Sequence, residues 1–234
     1  MPDQTPDSTV LLDGVVRAEN LGHVLLITLN RPEARNAVNF ELAAALGSAI
    51  ELLNNTDELR VAVITGAGKA FCAGQDLKAL TAGEGLVLPE HPEWGFAGFV
   101  RHFSAKPIIA AVHGFALGGG LEIALACDLI VAEEGTRLGL PEVTRGLFAA
   151  GGGAPRIAQQ LPQKVALHLL LTGEPISAET AESWGLVNKV APAGTHVDVA
   201  MNLARGIAGN APLAVQASKR LVYENVNQSV WNDG

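Results

Sequence analysis

One stretch of the chain, residues 108–128, contains residue types that together suit acyl-group chemistry. A strand-like apolar run at 108–112 is followed by a turn, three consecutive glycines at 118–120 and the start of an apolar helix. Glycines let a backbone approach a ligand closely, and amides at a helix N-terminus carry partial positive charge. Glu122 lies just beyond them in apolar company. Amides that stabilise an oxyanion, beside a carboxylate in apolar surroundings, are what acyl-group chemistry needs.

A second glycine turn and a second carboxylate occur in comparable surroundings. The segment Phe71-Cys-Ala-Gly-Gln-Asp-Leu follows a β-branched run and leads into a helix that begins near Asp76. If the strands before the two turns lie near one another, one backbone N–H from each turn can reach a single carbonyl oxygen. Glu142 follows Leu138-Gly-Leu-Pro, again among apolar residues. Taken singly, each turn is more simply explained as an ordinary strand-to-helix connection, and Glu142 as a surface glutamate.

The composition predicts a globular protein and disfavours several classes of partner. The chain has 234 residues, of which 48% are hydrophobic and 17% charged, which suits one large domain or two small ones. A net charge of −8 disfavours nucleic acid or an anionic membrane as the main partner. Two cysteines make a disulfide framework improbable. No membrane span or signal peptide is predicted, so we expect a soluble, cytoplasmic protein.

The order of the predicted elements indicates an α/β core followed by helices. A hairpin is expected around Asn20-Leu21-Gly22, a helix with Asn39 as its N-cap, and a loop without periodicity at 83–95. Strands are predicted at 60–65, 108–112, 129–132, 137–140 and 186–190. Helices are predicted at 40–53, 98–104, 155–161, 163–171, 178–183, 196–209 and 212–227.

Other common active-site motifs are absent from the sequence. Gly66-Ala-Gly68 follows a strand, but Phe71 occupies the position of the third glycine in a dinucleotide fingerprint, so nicotinamide binding is not expected. Neither a Gly-x-Ser-x-Gly elbow nor a P-loop occurs. The six histidines show no ligand spacing, so we expect no metal site.

The ordered motifs resemble those of the enoyl-CoA hydratase/isomerase (crotonase) family over nearly the whole chain. The resemblance begins with Phe-Cys-Ala-Gly-x-Asp-Leu, Ala-Leu-Gly-Gly-Gly-x-Glu and Leu-Pro-Glu, in that order and spacing. Further motifs are Leu29-Asn-Arg-Pro, Cys127-Asp128-Leu, Leu171-Thr-Gly-Glu-Pro-Ile-Ser-Ala and Trp184-Gly-Leu-Val-Asn. The segment from Phe71 with the later Gly95-Phe-Ala-Gly-Phe resembles the carnitinyl-CoA dehydratase branch. The implied fold is a core of repeated ββα units wound into a spiral, with a C-terminal helical subdomain.

The resemblance also implies roles for individual residues. The thioester carbonyl would lie in an oxyanion hole formed by the backbone amides of Gln75 and Gly119. Glu122 and Glu142 would be the two glutamates of the family's hydratases. Glu122 would hold the water that reacts at C3, and Glu142 would lie nearest the proton that is exchanged at C2. CoA would be held by residues of the Arg-Pro loop and of the first glycine turn. These residues are Ala34, Arg35, Ala37, Ala73, Asp76, Leu77 and Lys78.

CoA belongs to the substrate in this family, so the resemblance implies an acyl-CoA thioester partner and no separate cofactor. It further implies a homotrimer or a dimer of trimers. The expected organisation is a tail at 1–9, the spiral core at 10–193 and a helical region at 194–234 that is shorter than in relatives. The expected reaction is hydration or dehydration. Isomerisation of a double bond, thioester hydrolysis and binding of acyl-CoA without catalysis stay open as alternatives.

Overall fold

The computed structural model describes residues 9–85 and 87–231, and only the backbone of 225–231. Residues 1–8 of the predicted tail lie outside this range, and Thr9 begins the first strand. The strands are β1 (Thr9–Leu12), β2 (Val16–Leu21), β3 (Val24–Leu29), β4 (Val61–Gly66), β5 (Ile108–Val112), β6 (Phe115–Leu117), β7 (Leu129–Glu133), β8 (Arg137–Gly139), β9 (Ile176–Ser177) and β10 (Lys189–Ala191). The helices are α1 (Phe40–Asn55), α2 (Leu77–Thr81), α3 (Gly119–Ala126), α4 (Gly153–Gln160), α5 (Gln163–Thr172), α6 (Ala178–Ser183), α7 (His196–Ala208) and α8 (Pro212–Trp231).

The main sheet has the strand order β1-β2-β3-β4-β5-β7-β10. The pairs β1–β2 and β2–β3 are antiparallel, whereas β3–β4, β4–β5, β5–β7 and β7–β10 are parallel. The central strands β4 and β5 are mostly apolar, and β5 is buried at every position. Helices cover both faces of these strands, as parallel sheets require. The parallel order places the ends of β4 and β5, and hence both glycine turns, at the same edge of the sheet.

A second row of short strands runs beside the main sheet and supports the functional loops. β6 pairs with β8 in parallel and β8 with β9 antiparallel. Isolated bridges extend the row, since Cys72 pairs with Ala116 and Gln75 with Val38. Successive chain segments therefore contribute one strand to the main sheet, one short extended piece to the second row, and then a helix. These repeated ββα units agree with the predicted α/β spiral core.

The two faces of the main sheet are buried by different helices. One large core lies between the sheet and α1, α3 and the following helices. On the opposite face, β-strand residues such as Val61, Ile109 and Val131 pack against Ala200, Met201 and Ala204 of α7. The alternation of side chains along a strand divides the apolar residues between these cores. None of the helices in the described residues is long and apolar enough to span a membrane.

Three local predictions differ from the structure. The predicted helix at 98–104 is absent among the described residues, because Gly95, Ala97 and Gly98 have φ of 70°, 59° and 63°, which fold this segment into tight turns. The loop at 83–95 is partly ordered by a 3-10 turn, Pro92–Trp94. The last strand is Lys189–Ala191 instead of 186–190, since Leu186 and Val187 bond back to the end of α6.

The ring stack around Trp94 explains why the 83–95 segment is more regular than its composition suggests. Trp94 is stacked between His91 at 3.7 Å and His102 at 4.3 Å, measured between ring centroids. Gly47 of α1 lies under the indole, and a Cβ there would come within 2.5 Å of it. Glu84 anchors the start of the segment by accepting the Phe40 N–H at 2.7 Å. The segment is thereby fastened to α1 at both ends.

Candidate active site

The first candidate oxyanion donor is the backbone N–H of Gln75. The parallel bridge to Val38 uses the carbonyl of Gly74 and the N–H of Asp76, at 2.8 Å each. Because neighbouring peptide groups of an extended segment point to opposite sides, the N–H of Gln75 faces away from Val38. It donates no backbone hydrogen bond within the described residues. The Gln75 amide is therefore available to a ligand.

The second candidate donor, the N–H of Gly119, lies directly beside the first turn. Gly119 is the first residue of α3, so its N–H has no acceptor within the helix. A Cβ on Gly74, whose φ is 93°, would lie 3.0 Å from the Gly119 nitrogen and 2.9 Å from the Leu117 carbonyl oxygen. Only glycine at position 74 lets the two turns approach this closely. The structure thus brings together the two amides that the sequence singles out.

Glu122 lies one turn into α3 and is 4% exposed. Its carboxylate accepts the Gly153 N–H at 2.8 Å. A Cβ on Gly151 would collide with Oε2 of Glu122, and one on Gly153 would come 2.9 Å from its Cγ. Burial raises the pKa of Glu122, and the nearby charge of Glu142 raises it further, against the bond from Gly153. The sequence contains three consecutive glycines at 151–153, but only the folded chain reveals that they support Glu122.

Glu142 approaches the same place from a 3-10 turn, Pro141–Arg145, which follows β8. Its Oε1 lies 3.4 Å from the position that a Cβ on Gly118 would occupy. Its other oxygen, Oε2, is buried without a hydrogen-bond partner among the described residues. Burial raises the pKa of Glu142, partly offset by its own backbone N–H and by Arg145. An unsatisfied carboxyl oxygen beside the two amides is suited to exchange a proton with a bound molecule.

These raised pKa values predict a pH-dependent stability difference between the wild type and Glu142→Gln. The native state holds the Glu142 proton more tightly than the unfolded chain, so ionisation of Glu142 lowers native stability as pH rises above the usual carboxyl range. We expect the melting temperature of Glu142→Gln to exceed that of the wild type by a margin that grows as pH rises from the usual carboxyl range through the raised pKa of Glu142. A margin that shrinks over this range would contradict the buried, ionisable carboxyl. The control is Glu174→Gln, which removes an exposed carboxylate.

The residues expected to hold CoA surround the first glycine turn, but one of them is already engaged. Arg31 donates to Oδ2 of Asp76 through both Nη1 and Nη2, at 3.1 Å each. The other oxygen of Asp76 caps α2 by accepting from Lys78 and Ala79. The Asp76 side chain thus fixes the turn, with its carboxylate occupied by protein donors.

The remaining residues of this predicted set line the rim of the two loops. The carbonyl of Arg35 accepts the Ala73 N–H at 3.0 Å, which joins the Arg-Pro loop to the glycine turn. The side chains of Arg35, Leu77 and Lys78 are exposed, and Ala34, Ala37 and Ala73 are half-buried. Two cations with exposed side chains beside small residues can approach the phosphates of a nucleotide-containing substrate.

Asn36, which the sequence did not single out, fastens this rim. It is fully buried with φ of 55°. Its Nδ2 lies 2.9 Å from the carbonyl oxygens of Ala67 and Ala70 and 3.1 Å from that of Phe71, and its Oδ1 accepts the Arg31 N–H. An asparagine in a proline-containing loop is the signal that could have indicated it, because asparagine tolerates the left-handed conformation.

Replacing Asn36 is expected to destabilise the protein. Asn36→Ala would leave buried carbonyls and the Arg31 N–H unsatisfied, and unpaired buried polar groups cost about 1–3 kcal/mol each. We expect the free energy of unfolding in urea to fall by at least about 2 kcal/mol. Asn202→Ala, which removes an exposed side chain on α7, is the matched control and should change it by less than about 0.5 kcal/mol. Equal effects of the two substitutions would contradict the role of Asn36.

Comparisons with known proteins agree with this geometry. A family model described as enoyl-CoA hydratase/isomerase matches residues 19–231. The chain is 43% identical over 215 residues to the carnitinyl-CoA dehydratase of Salmonella paratyphi A, covering 91% of this chain and 81% of that protein. It is 44% identical over 203 residues to the mevalonyl-coenzyme A hydratase of Beauveria bassiana, covering 82% of this chain and 72% of that protein.

A solved structure shows the same likeness in three dimensions. The structure of a carnitinyl-CoA dehydratase from Mycobacterium avium 104 superposes with a TM-score of 0.88. The two chains are 59% identical, and the match covers 91% of this chain and 83% of that one.

Proposed function

Since the chain belongs to the enoyl-CoA hydratase/isomerase family, we propose that it is a hydro-lyase that adds water to a CoA thioester or removes it. The match confirms the resemblance predicted from the sequence, and the fold is that of the family's solved structures. The observation that supports this proposal most strongly is that two available backbone amides lie in the same region as one buried and one half-buried carboxyl group, those of Glu122 and Glu142. The carnitinyl-CoA dehydratases and the mevalonyl-CoA hydratase among the relatives support both directions of the reaction.

The two amides would stabilise the charge that develops on the thioester oxygen. When water adds to C3 of an enoyl thioester, the electrons of the double bond move towards the carbonyl, which becomes an enolate. N–H donors fixed at that oxygen lower the barrier because they are already oriented before the reaction. In the proposed complex the carbonyl oxygen accepts from Gln75 and Gly119. Rotation of either amide is restricted, the first by the bridge to Val38 and the second by α3.

The two glutamates would divide the proton transfers. In hydration, Glu122 takes a proton from the water that attacks C3, and Glu142 delivers a proton to C2 of the enolate. Dehydration runs these steps backwards, so each carboxyl acts as acid in one direction and base in the other. Glu122 accepts a bond from Gly153, which favours its ionised form, whereas Oε2 of Glu142 has no partner in the described residues. This difference supports Glu122 as the base and Glu142 as the acid for hydration.

The substrate's CoA moiety would lie along the rim formed by the Arg-Pro loop and the first glycine turn. We propose that Arg35 and Lys78 approach its phosphates, and that Ala34, Ala37, Ala73 and Leu77 contact the rest of it. The Asp76 carboxylate would contribute by holding the rim through Arg31. We propose that the reaction needs no separate cofactor, because CoA is part of the substrate and the two amides and two carboxyls can supply the oxyanion stabilisation and the proton transfers.

The proposal also covers the setting in which the enzyme acts. We propose a homotrimer or a dimer of trimers on the basis of the sequence resemblance, and a cytoplasmic location because the two cysteines favour a reducing compartment. An acidic chain with a net charge of −8 supports a small-molecule substrate over nucleic acid or an anionic membrane as partner. Light scattering after size-exclusion chromatography tests the assembly, and a monomeric mass at micromolar concentration would overturn that part of the proposal.

The experiment that tests the proposed function follows the loss of enoyl absorbance with purified protein. Substrates would be crotonyl-CoA, enoyl-CoA esters of increasing chain length, and carnitinyl-CoA and mevalonyl-CoA for the reverse reaction. We expect saturable turnover with at least one of them. Release of free CoA would favour thioester hydrolysis, and a shifted double bond would favour isomerisation. Binding of these thioesters without turnover of any would favour an acyl-CoA binding protein.

A further inference from the structure

We propose that Arg156 is a positioning residue, which holds Glu122 in place by joining two loops that meet beside it; this inference rests on the proposed hydro-lyase function. Arg156 lies in the first turn of α4, three residues after Gly153, the last of the glycines at 151–153. Its Nη1 donates to the carbonyl of Gly152 at 3.3 Å, and its Nη2 donates to the carbonyl of Val100. The guanidinium thereby connects chain segments that lie 56 residues apart.

The bond to Gly152 acts on Glu122 through a single peptide unit. The carbonyl of Gly152 and the N–H of Gly153 belong to the same planar peptide and point in opposite directions. Arg156 holds the carbonyl end with its side chain and with its own backbone N–H at 3.2 Å. The other end donates to Oε1 of Glu122 at 2.8 Å. The flanking glycines leave this peptide free to rotate. A donor that holds its carbonyl therefore also fixes the direction of the Gly153 N–H, which donates to Glu122.

The bond to Val100 secures the opposite wall of the site. The N–H of Val100 donates to the carbonyl of Phe96 at 3.1 Å, so the two residues share one turn. The Phe96 ring lies against Gly119, where a Cβ would come 2.5 Å from two ring carbons. The Cβ of Phe96 lies 3.1 Å from the position of a Cβ on Gly151. One guanidinium thus supports the loop that packs on the Gly119 amide and the turn that packs on the Glu122 carboxylate.

The positive charge of Arg156 also affects the protonation of Glu122. In the described part of the chain Arg156 forms no ion pair with a carboxylate. The titratable groups that influence it are Arg101, Tyr223, Cys127 and Glu122. Burial and Glu142 raise the pKa of Glu122, whereas the bond from Gly153, the nearby N–H of Gly151 and the charge of Arg156 lower it. Removing the positive charge should therefore favour the protonated form of Glu122.

The test compares R156M, which keeps an unbranched apolar stem without the charged guanidinium, with R156K, which keeps the charge without the planar fork. R101M, which removes an exposed cation from the neighbouring loop, is the matched control. For R156M we expect kcat with the best substrate to fall on the order of 10- to 100-fold at nearly constant KM. We also expect the acid limb of its pH profile to move to higher pH. R156K should keep the wild-type acid limb with a reduced kcat, and R101M should behave as the wild type.

A second readout does not depend on turnover. Carbon-13 NMR titration of the glutamate carboxyls in an E142Q background reports the pKa of Glu122 directly. We expect a higher value with R156M added and an unchanged value with R156K added. If R156M folds and has both the wild-type kcat and the wild-type Glu122 titration, the inference is overturned. If R156M does not fold, a wild-type kcat for R156K overturns it. An inactive wild type with the expected Glu122 titration would instead overturn the proposed function alone.

Discussion

Replacing either Glu122 or Glu142 by glutamine is expected to lower kcat for hydration by about 10²- to 10⁴-fold, the usual contribution of a positioned acid or base. Glutamine nearly preserves the shape of glutamate but cannot exchange the proton. The Glu122 carboxyl is buried one turn into α3, and the half-buried Glu142 carboxyl lies against Gly118. KM should change little, because the amides and the CoA-binding rim are unaltered. Steady-state kinetics with the best enoyl-CoA substrate measure both quantities.

The double substitution and a surface control make this prediction sharper. Since the two carboxyls act in one reaction, Glu122→Gln combined with Glu142→Gln should be only slightly slower than the slower single variant. Glu174→Gln removes an exposed carboxylate and should retain wild-type turnover. If both active-site variants keep wild-type turnover, the assignment of the two glutamates is wrong.

Changing Gln75 to proline is expected to lower kcat/KM by about 10²- to 10³-fold, equivalent to the loss of about 2.7–4 kcal/mol from one oxyanion donor. Proline has no N–H, and the backbone bonds that hold this segment come from Gly74 and Asp76. The substitution therefore removes the proposed donor while leaving the bridge to Val38 in place. Gln75→Ala keeps the N–H and is the matched control, which should retain most activity.

Melting temperatures of both Gln75 variants show whether the fold is preserved. We expect values close to the wild type for Gln75→Ala and only a small decrease for Gln75→Pro. Near-total loss of activity in Gln75→Ala would show that the side chain takes part in the reaction. Full activity in Gln75→Pro would show that the thioester oxygen lies elsewhere.

Much of the fold and of the candidate site follows from local sequence signals. The helix after Asn39 begins where its cap predicts, since the Asn39 side chain accepts the Leu42 N–H at 3.0 Å. The apolar, β-branched runs at 60–65 and 108–112 form adjacent parallel strands. A glycine-containing turn follows each of these two strands. Glycines clustered after a strand indicate that the backbone approaches another group closely, so both turns are predicted from the sequence. Motif order then indicates the family, which adds the roles of Glu122 and Glu142.

Other features depend on contacts that are distant in sequence. Nothing local to Asp76 shows that its carboxylate pairs with Arg31, which lies 45 positions earlier in the chain. The helical pattern at 98–104 is overridden by positive φ at Ala97 and Gly98, where the turn packs against α1. The link from Arg156 to Val100 spans 56 residues, and only the folded chain reveals it.

Incorporation of isotopically labelled water tests the central claim most directly. The protein would be incubated with crotonyl-CoA in water enriched in oxygen-18, and the products would be resolved by mass spectrometry. The proposed function predicts a 3-hydroxyacyl-CoA with one labelled oxygen on C3 and an intact thioester. Free CoA with the label in a released carboxylic acid would contradict it, as would an isomerised enoyl-CoA without label.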